Sequence, residues 1–261
     1  MQTTLDVILS KKYLVASVFA VLAFNLAVNL ISKDVAIFAG NLAYIPLAGS
    51  FMILALITIF RFGLTGTHGV AWFSFAGYAV SWFIAEILWI HEELILKENP
   101  YPSVADIFYL VGYPFLLMFF ISYLQPVKNA ITRKIFGIST SLSIGVLIVS
   151  LYFVLTHGTM TNAFSTALAT VYPIFDSIVI IPAIIGVVLF FKGKVNLMWT
   201  LVCIGTICVF AADTAFLVGQ LDETYYTGNP IEVLFYLNYV FLIFGVHDHL
   251  GLFKKAKNLI K

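Results

Sequence analysis

Charge is what this sequence has least of. Of its 261 residues only 10% are Asp, Glu, Lys or Arg, against 61% apolar, and the mean hydropathy is +1.01. A soluble domain is about a quarter charged, so an ordinary water-soluble fold is excluded. The net charge of +1 says nothing about nucleic acid, but no basic patch is present, so no nucleic-acid partner is expected. Cysteine is nearly absent as well. Cys203 and Cys208 lie five apart in one apolar run, on different helix faces, so no disulfide is expected and the redox compartment is unreadable. No lysine or arginine falls in the middle of an apolar run. That excludes a retinal Schiff base. No phosphate-cradling glycine loop occurs, and no Ser/His/Asp set can be placed by spacing.

The sequence is rich in apolar runs of the ~20 residues that a helix needs to cross a bilayer. The expectation is an all-α integral membrane protein with eight transmembrane helices, at about 13–32, 35–60, 68–91, 103–124, 135–156, 163–191, 196–219 and 231–252. Lys11 and Lys12 precede the first run like the start of a signal peptide. The run is long and no small-x-small cleavage site follows it, so an uncleaved first span is expected. Lys11/Lys12, Arg61, Lys128/Arg133/Lys134, Lys192/Lys194 and Lys254/Lys255/Lys257/Lys261 fall on one side of the eight spans. Glu92, Glu93, Glu98, Asp222 and Glu223 fall on the other, with only Lys33 and Lys97. The positive-inside rule then puts both termini in the cytoplasm of a multi-pass cell-membrane protein.

The chain echoes itself. ADIFYLVGY (105–113) aligns with IEVLFYLNY (231–239), each after an Asn-Pro pair, and AYIPLAGS (43–50) resembles TVYPIFDS (170–177). Asp106 then meets Glu232, Tyr113 meets Tyr239, and Glu86 corresponds to Asp213. Two parallel four-helix repeats are expected, about 1–128 and 129–261, within one polytopic domain.

Five carboxylates stand within or at the edge of these spans: Glu86, Asp106, Asp176, Asp213 and Glu232. The predicted directions bring all five toward the outer half of the membrane. A lone carboxylate there costs about 2.5–3.5 kcal/mol even on insertion scales. With no intramembrane cation, the remaining partners are a proton, water, tyrosine or asparagine donors, or an external cation. Asp106, Tyr109 and Tyr113 share a helix face, as do Glu232, Phe235 and Tyr239; Asp213, Phe216 and Gln220; and Trp82, Glu86 and Trp89. Tyr172 precedes Asp176 by one turn. Acids beside aromatic rings suit an organic cation. The candidate ligand-binding residues are therefore Glu86, Asp106, Tyr109, Tyr113, Tyr172, Asp176, Asp213, Glu232 and Tyr239.

Plainer roles compete. Asp106 and Glu232 open their helices, where an acid offsets the helix dipole, and Ser103 is placed to cap the fourth span. Tyr101, Tyr225 and Tyr226 read as interface-belt residues. His68 and His157 read as solvated span ends. HEEL (91–94) lacks the second histidine of a zincin motif, since Ile95 stands there. In HDH (247–249) the two histidines point to different faces, so a helix-end role is expected and neither metal nor cofactor is assigned.

Three stretches together carry a resemblance: PSVADIFYLVGYP (102–114), VYPIFDS (171–177) and AADTAFLVGQLDETYYTGNPIEVLFYLNY (211–239). They resemble the multi-span membrane sensor regions found N-terminal to bacterial GGDEF and EAL (diguanylate cyclase-type) signalling domains. The matching positions are Asp106, Tyr172-Pro173 with Asp176, Asp213, Tyr226, Gly228 and Glu232. Glu232 replaces a more usual Asp, and Phe216 stands where Tyr is common. The resemblance implies a sensory input module. No such output domain follows here, so it also implies a separate cytoplasmic signalling partner, reached through the basic tail KKAKNLIK.

Three functions compete on the sequence. The first is a stand-alone sensor binding a proton, cation or small cationic ligand in an acidic-aromatic cleft. The second is a small proton- or cation-coupled transporter, for which Asn25 and Asn29 in the first span, with Ser and Thr in the fifth, are the further polar groups of note. The third is a membrane enzyme acting on a lipid or isoprenoid, since NPIEVLFYLNY resembles the Pro-x-Glu-aromatic motif of membrane lycopene cyclases.

Overall fold

A bilayer offers backbone amides no water, so a chain this apolar must bond them within helices. The computed structural model describes residues 4–157, 163–191 and 195–254, and among them the chain forms eight long helices. These are α1 (Thr4–Ile31), α2 (Lys33–Phe62), α3 (Gly66–Ile90), α4 (Val104–Leu124), α5 (Arg133–His157), α6 (Ala163–Phe190), α7 (Asn196–Leu221) and α8 (Glu232–Lys254). All eight are long and apolar enough to cross a membrane. The protein is an all-α, eight-span membrane protein, as the apolar runs predict. Lys192, Lys194, the tail beyond Lys254 and the His157 side chain lie outside what the structure describes.

Local chemistry sets the helix ends. Ser32 is the only residue between α1 and α2, and its hydroxyl accepts the Val35 amide at 3.2 Å. Gly63, at φ +74°, ends α2. A π-helical turn, His91–Leu96, extends α3 and stops at Lys97 in the left-handed region. Ser103 caps α4 as its sequence predicts: its hydroxyl accepts the Ala105 amide, and Asp106 Oδ2 accepts the Ser103 amide at 2.7 Å.

Large rings fill the interior. Trp72, Phe75, Tyr78, Phe119, Phe120 and Trp199 are all buried. α3 and α7 are the best-covered spans, whereas α1 and α5 expose most of their surface, as lipid-facing helices do. α3 packs on α4 and α7 on α8; α2 packs on α8 and α6 on α4. Under the register of the sequence echo these are equivalent contacts. The outer helices break the correspondence: α1 lies against α8, but α5 lies against α7.

The α7–α8 connection is drawn tightly into the bundle. Gly228, at φ +85°, lies so close to α2 that a Cβ there would stand 2.2 Å from the Ala36 carbonyl oxygen. Asn25 and Asn29 of α1 donate to the Gly228 carbonyl at 2.9 and 2.7 Å, and Asn25 also donates to Asn229 O at 3.0 Å. The asparagines of the two Asn-Pro pairs behave alike. Asn99 Oδ1 accepts the Tyr101 amide, and Asn229 Oδ1 accepts the Ile231 amide.

Candidate functional site

Acids at matched depths on α3, α4, α7 and α8 should meet if those helices pack together, and they do. Glu86, Asp106, Asp213 and Glu232 line one cavity of about 50 Å³ at the α3–α4 and α7–α8 loop end of the bundle. Tyr44, Tyr109, Tyr172, Tyr225, Trp82, Trp89, Phe216 and Phe235 supply its aromatic wall. That volume holds roughly three to five waters, or a ligand of a few heavy atoms. No Lys, Arg or His is among the lining residues. The four acids, with Asp176 behind them, are each at most 8% exposed.

Tyrosines take the place of the missing cations. Tyr44 of α2 and Tyr225 of the α7–α8 connection donate to the two oxygens of Glu232. Tyr172 of α6 donates to Asp106 Oδ1 at 2.7 Å. Tyr239 of α8 donates to Glu86 Oε1 at 2.6 Å. Tyr113 of α4 stands 2.7 Å from Asp176 Oδ1 and 3.0 Å from Asp213 Oδ2. A phenol has one proton, so Tyr113 cannot satisfy both carboxylates fully. Asp176 Oδ2 is buried with no hydrogen-bond partner among the described residues.

The bonds follow the sequence echo. Tyr113 to Asp213 and Tyr239 to Glu86 are equivalent under it, and Tyr44 to Glu232 matches Tyr172 to Asp106 with Tyr44 one residue out of register. All four run between a helix of the first half of the chain and a helix of the second. The echo fails at Asp176, whose counterpart is Gly49. The cluster is therefore lopsided, with an extra acid on one side.

Of the residues singled out by sequence, Glu86, Asp106, Tyr109, Tyr172, Asp213 and Glu232 line the cavity. Tyr113, Tyr239 and Asp176 stand behind its wall. Asp106 combines both expected roles, capping α4 with one oxygen and accepting Tyr172 with the other. Tyr225 and Tyr101 are not interface-belt residues. Tyr225 reaches inward to Glu232, and Tyr101 is buried against Phe216 with ring centroids 5.1 Å apart. Both lie between spans. Burial, and next the Glu232 charge, push the Tyr225 phenol well above its ordinary range. Burial, and next Asp106, do the same to Tyr101. Tyr226 donates to Asn29 Oδ1 at 2.8 Å, with Lys33 over its ring.

Two participants escaped the sequence reading. Glu93 is not a solvated loop acid. The π-helical turn carries it inward, where Oε2 accepts from Thr227 Oγ1 (2.6 Å), Asn41 Nδ2 (2.8 Å) and Trp89 Nε1 (3.3 Å). Its signal was present, because residues 82, 86, 89 and 93 form one helical stripe. Tyr44 was hidden by register: it precedes Pro46 by two residues, whereas Tyr172 precedes Pro173 by one.

At the opposite end, His68 is half-buried rather than solvated. His249, fully buried, packs 4.6 Å from the Trp72 ring and 6.0 Å from His68. Only His247 of the HDH stretch is exposed. Among the described residues no group of three or more His, Cys, Asp or Glu is arranged to hold a metal ion.

Fold and site together define an eight-span helical membrane protein with an internal carboxylate–tyrosine pocket. The chain matches no family model, no curated protein and no solved structure.

Proposed function

We propose that this protein is a signal-input protein of the cell membrane whose pocket takes up a small organic cation from the outer side, with both termini cytoplasmic. One observation carries the reading: four buried carboxylates share a cavity with aromatic walls and no basic side chain. Carboxylates attract the charge, and ring faces attract it further. Such a ligand competes with the tyrosine hydroxyls for the same oxygens. Because those hydroxyls tie one half of the chain to the other, occupancy changes how the halves are held. That is the requirement of a sensor: a ligand with different affinities for two arrangements. The resemblance to sensor regions of GGDEF and EAL proteins supports signal input over transport, and a cytoplasmic protein would receive the signal.

The test is thermal unfolding of the purified protein in detergent against a panel of metal ions and organic amines, with Asp176→Asn and Asp213→Asn alongside. A rise in midpoint with amines, lost in both variants, is expected. No response to any cation overturns the binding reading. Flux of the stabilising amine across proteoliposomes overturns the sensor reading in favour of a carrier.

A further inference from the structure

The cavity does not hold one acidic cluster but two. Glu86 and Glu232 form the first, tied by Tyr239, Tyr44 and Tyr225. The Tyr44 and Tyr239 rings lie 6.0 Å apart. Asp106 and Asp213 form the second, tied by Tyr172 and Tyr113, whose rings lie 6.2 Å apart. The sequence echo exchanges the clusters, since Glu232 corresponds to Asp106 and Glu86 to Asp213. Trp82 stands between them. Its ring is 6.4 Å from Tyr113 on one side and 6.4 Å from Tyr239 on the other, and 5.4 Å from Tyr109. Gly112 makes room for it, because a Cβ there would stand 2.5 Å from the indole.

A single ammonium group answers only one of these clusters. Asp176 adds a further acid behind the second, with Oδ2 buried and unpartnered among the described residues. The arrangement is therefore two carboxyl pairs with an indole ring between them, in a cavity with room for a few heavy atoms. The complementary ligand is slim and linear, with positive charge at both ends and methylenes between.

We infer that the pocket is selective for short α,ω-diamines, one ammonium group meeting Glu86 and Glu232, the other Asp106 and Asp213, with the methylene chain lying against Trp82. This rests on the cation-binding reading above and narrows it to a dication. Hydrogen bonds that involve charged groups are the strong class. A second ammonium group therefore raises affinity about 10- to 100-fold over a monoamine of the same chain length.

The experiment is isothermal titration of the full chain in detergent with 1,3-diaminopropane, 1,4-diaminobutane, 1,5-diaminopentane and the matching n-alkylamines. The wild-type length series needs no variant, so it stands even where a substitution impairs folding. Glu86→Gln and Asp213→Asn each remove charge from one cluster. The expected result is a diamine preference of tenfold or more with an optimum in chain length, reduced to threefold or less in both variants. Equal binding of diamines and monoamines overturns the diamine inference and leaves the cation pocket standing. Binding of neither overturns both. A preference that survives both variants places the second ammonium group elsewhere and overturns the inference.

Discussion

Tyr113 of α4 holds Asp213 of α7 at 3.0 Å, and the same hydroxyl lies 2.7 Å from Asp176 of α6. Its counterpart Tyr239 serves Glu86 alone. One phenol thus joins three helices where the other joins two. Removing it takes away the one proton that two buried carboxylates share, at a cost of about 1–3 kcal/mol, and unties three helices rather than two. Tyr113→Phe is expected to lower the unfolding midpoint more than Tyr239→Phe does. Tyr152→Phe, on an exposed face of α5, should leave it unchanged. Thermal unfolding in detergent measures all three. A Tyr113→Phe midpoint equal to that of Tyr152→Phe would discard the shared-donor account.

Gly228 and Gly63 both have positive φ, but only Gly228 is crowded. Gly63→Ala meets open space and carries only backbone strain, about 1–3 kcal/mol, from an extended positive-φ conformation that glycine alone adopts readily. Gly228→Ala adds a contact of 2.2 Å with backbone that cannot move aside. The first variant should accumulate near wild-type levels, and the second should be recovered poorly or not at all. Fluorescence size-exclusion profiles of the two compare them directly.

Asn25 and Asn29 supply three donors to the carbonyls of Gly228 and Asn229. The double variant Asn25→Ala/Asn29→Ala frees the connection from α1 while leaving every pocket acid in place. Hydrogen exchange should rise over 222–231 and stay unchanged in α3 and α4. Unchanged exchange over 222–231 would show that Gly228 packing alone holds the segment.

Tyr225 gives a pH signature. Its phenol is pushed up in the folded protein by burial and then by Glu232, whereas an unfolded tyrosine ionises near 10. The unfolded state therefore releases this proton first as pH rises. The stabilisation is complete below about 10 and declines above it. In a titration at 295 nm, Tyr225→Phe should not reduce the folded-state amplitude at pH 10–11, and it should flatten the fall in midpoint over that range.

The eight spans were legible because a bilayer imposes length and composition on every crossing, and apolar runs report both directly. The acids were legible because they break that rule at regular depth, but their pairings were not: Tyr113 and Tyr172 bond acids of other helices rather than the acids on their own helix faces. The donors were less so. Tyr44 sat one register away from its counterpart. Tyr101 and Tyr225 had the composition of an interfacial belt, and only their burial shows them turned inward. Glu93 lay beyond the expected end of span 3, because nothing in HEELIL announces a π-helical turn that winds the chain six residues further. Depth in a membrane can be read from sequence; the direction a loop folds back cannot.

Ser32 alone separates α1 from α2. Nothing between the first two crossings can reach water far enough to be cut, glycosylated or tagged. With one residue between them, the two crossings form a helical hairpin that is expected to enter the bilayer as a unit, with Lys33 and Asp34 in the first turn of its second arm. A topology reporter fused after Ile31 would interrupt insertion itself, and only one placed beyond Arg61 would report where the chain comes to rest.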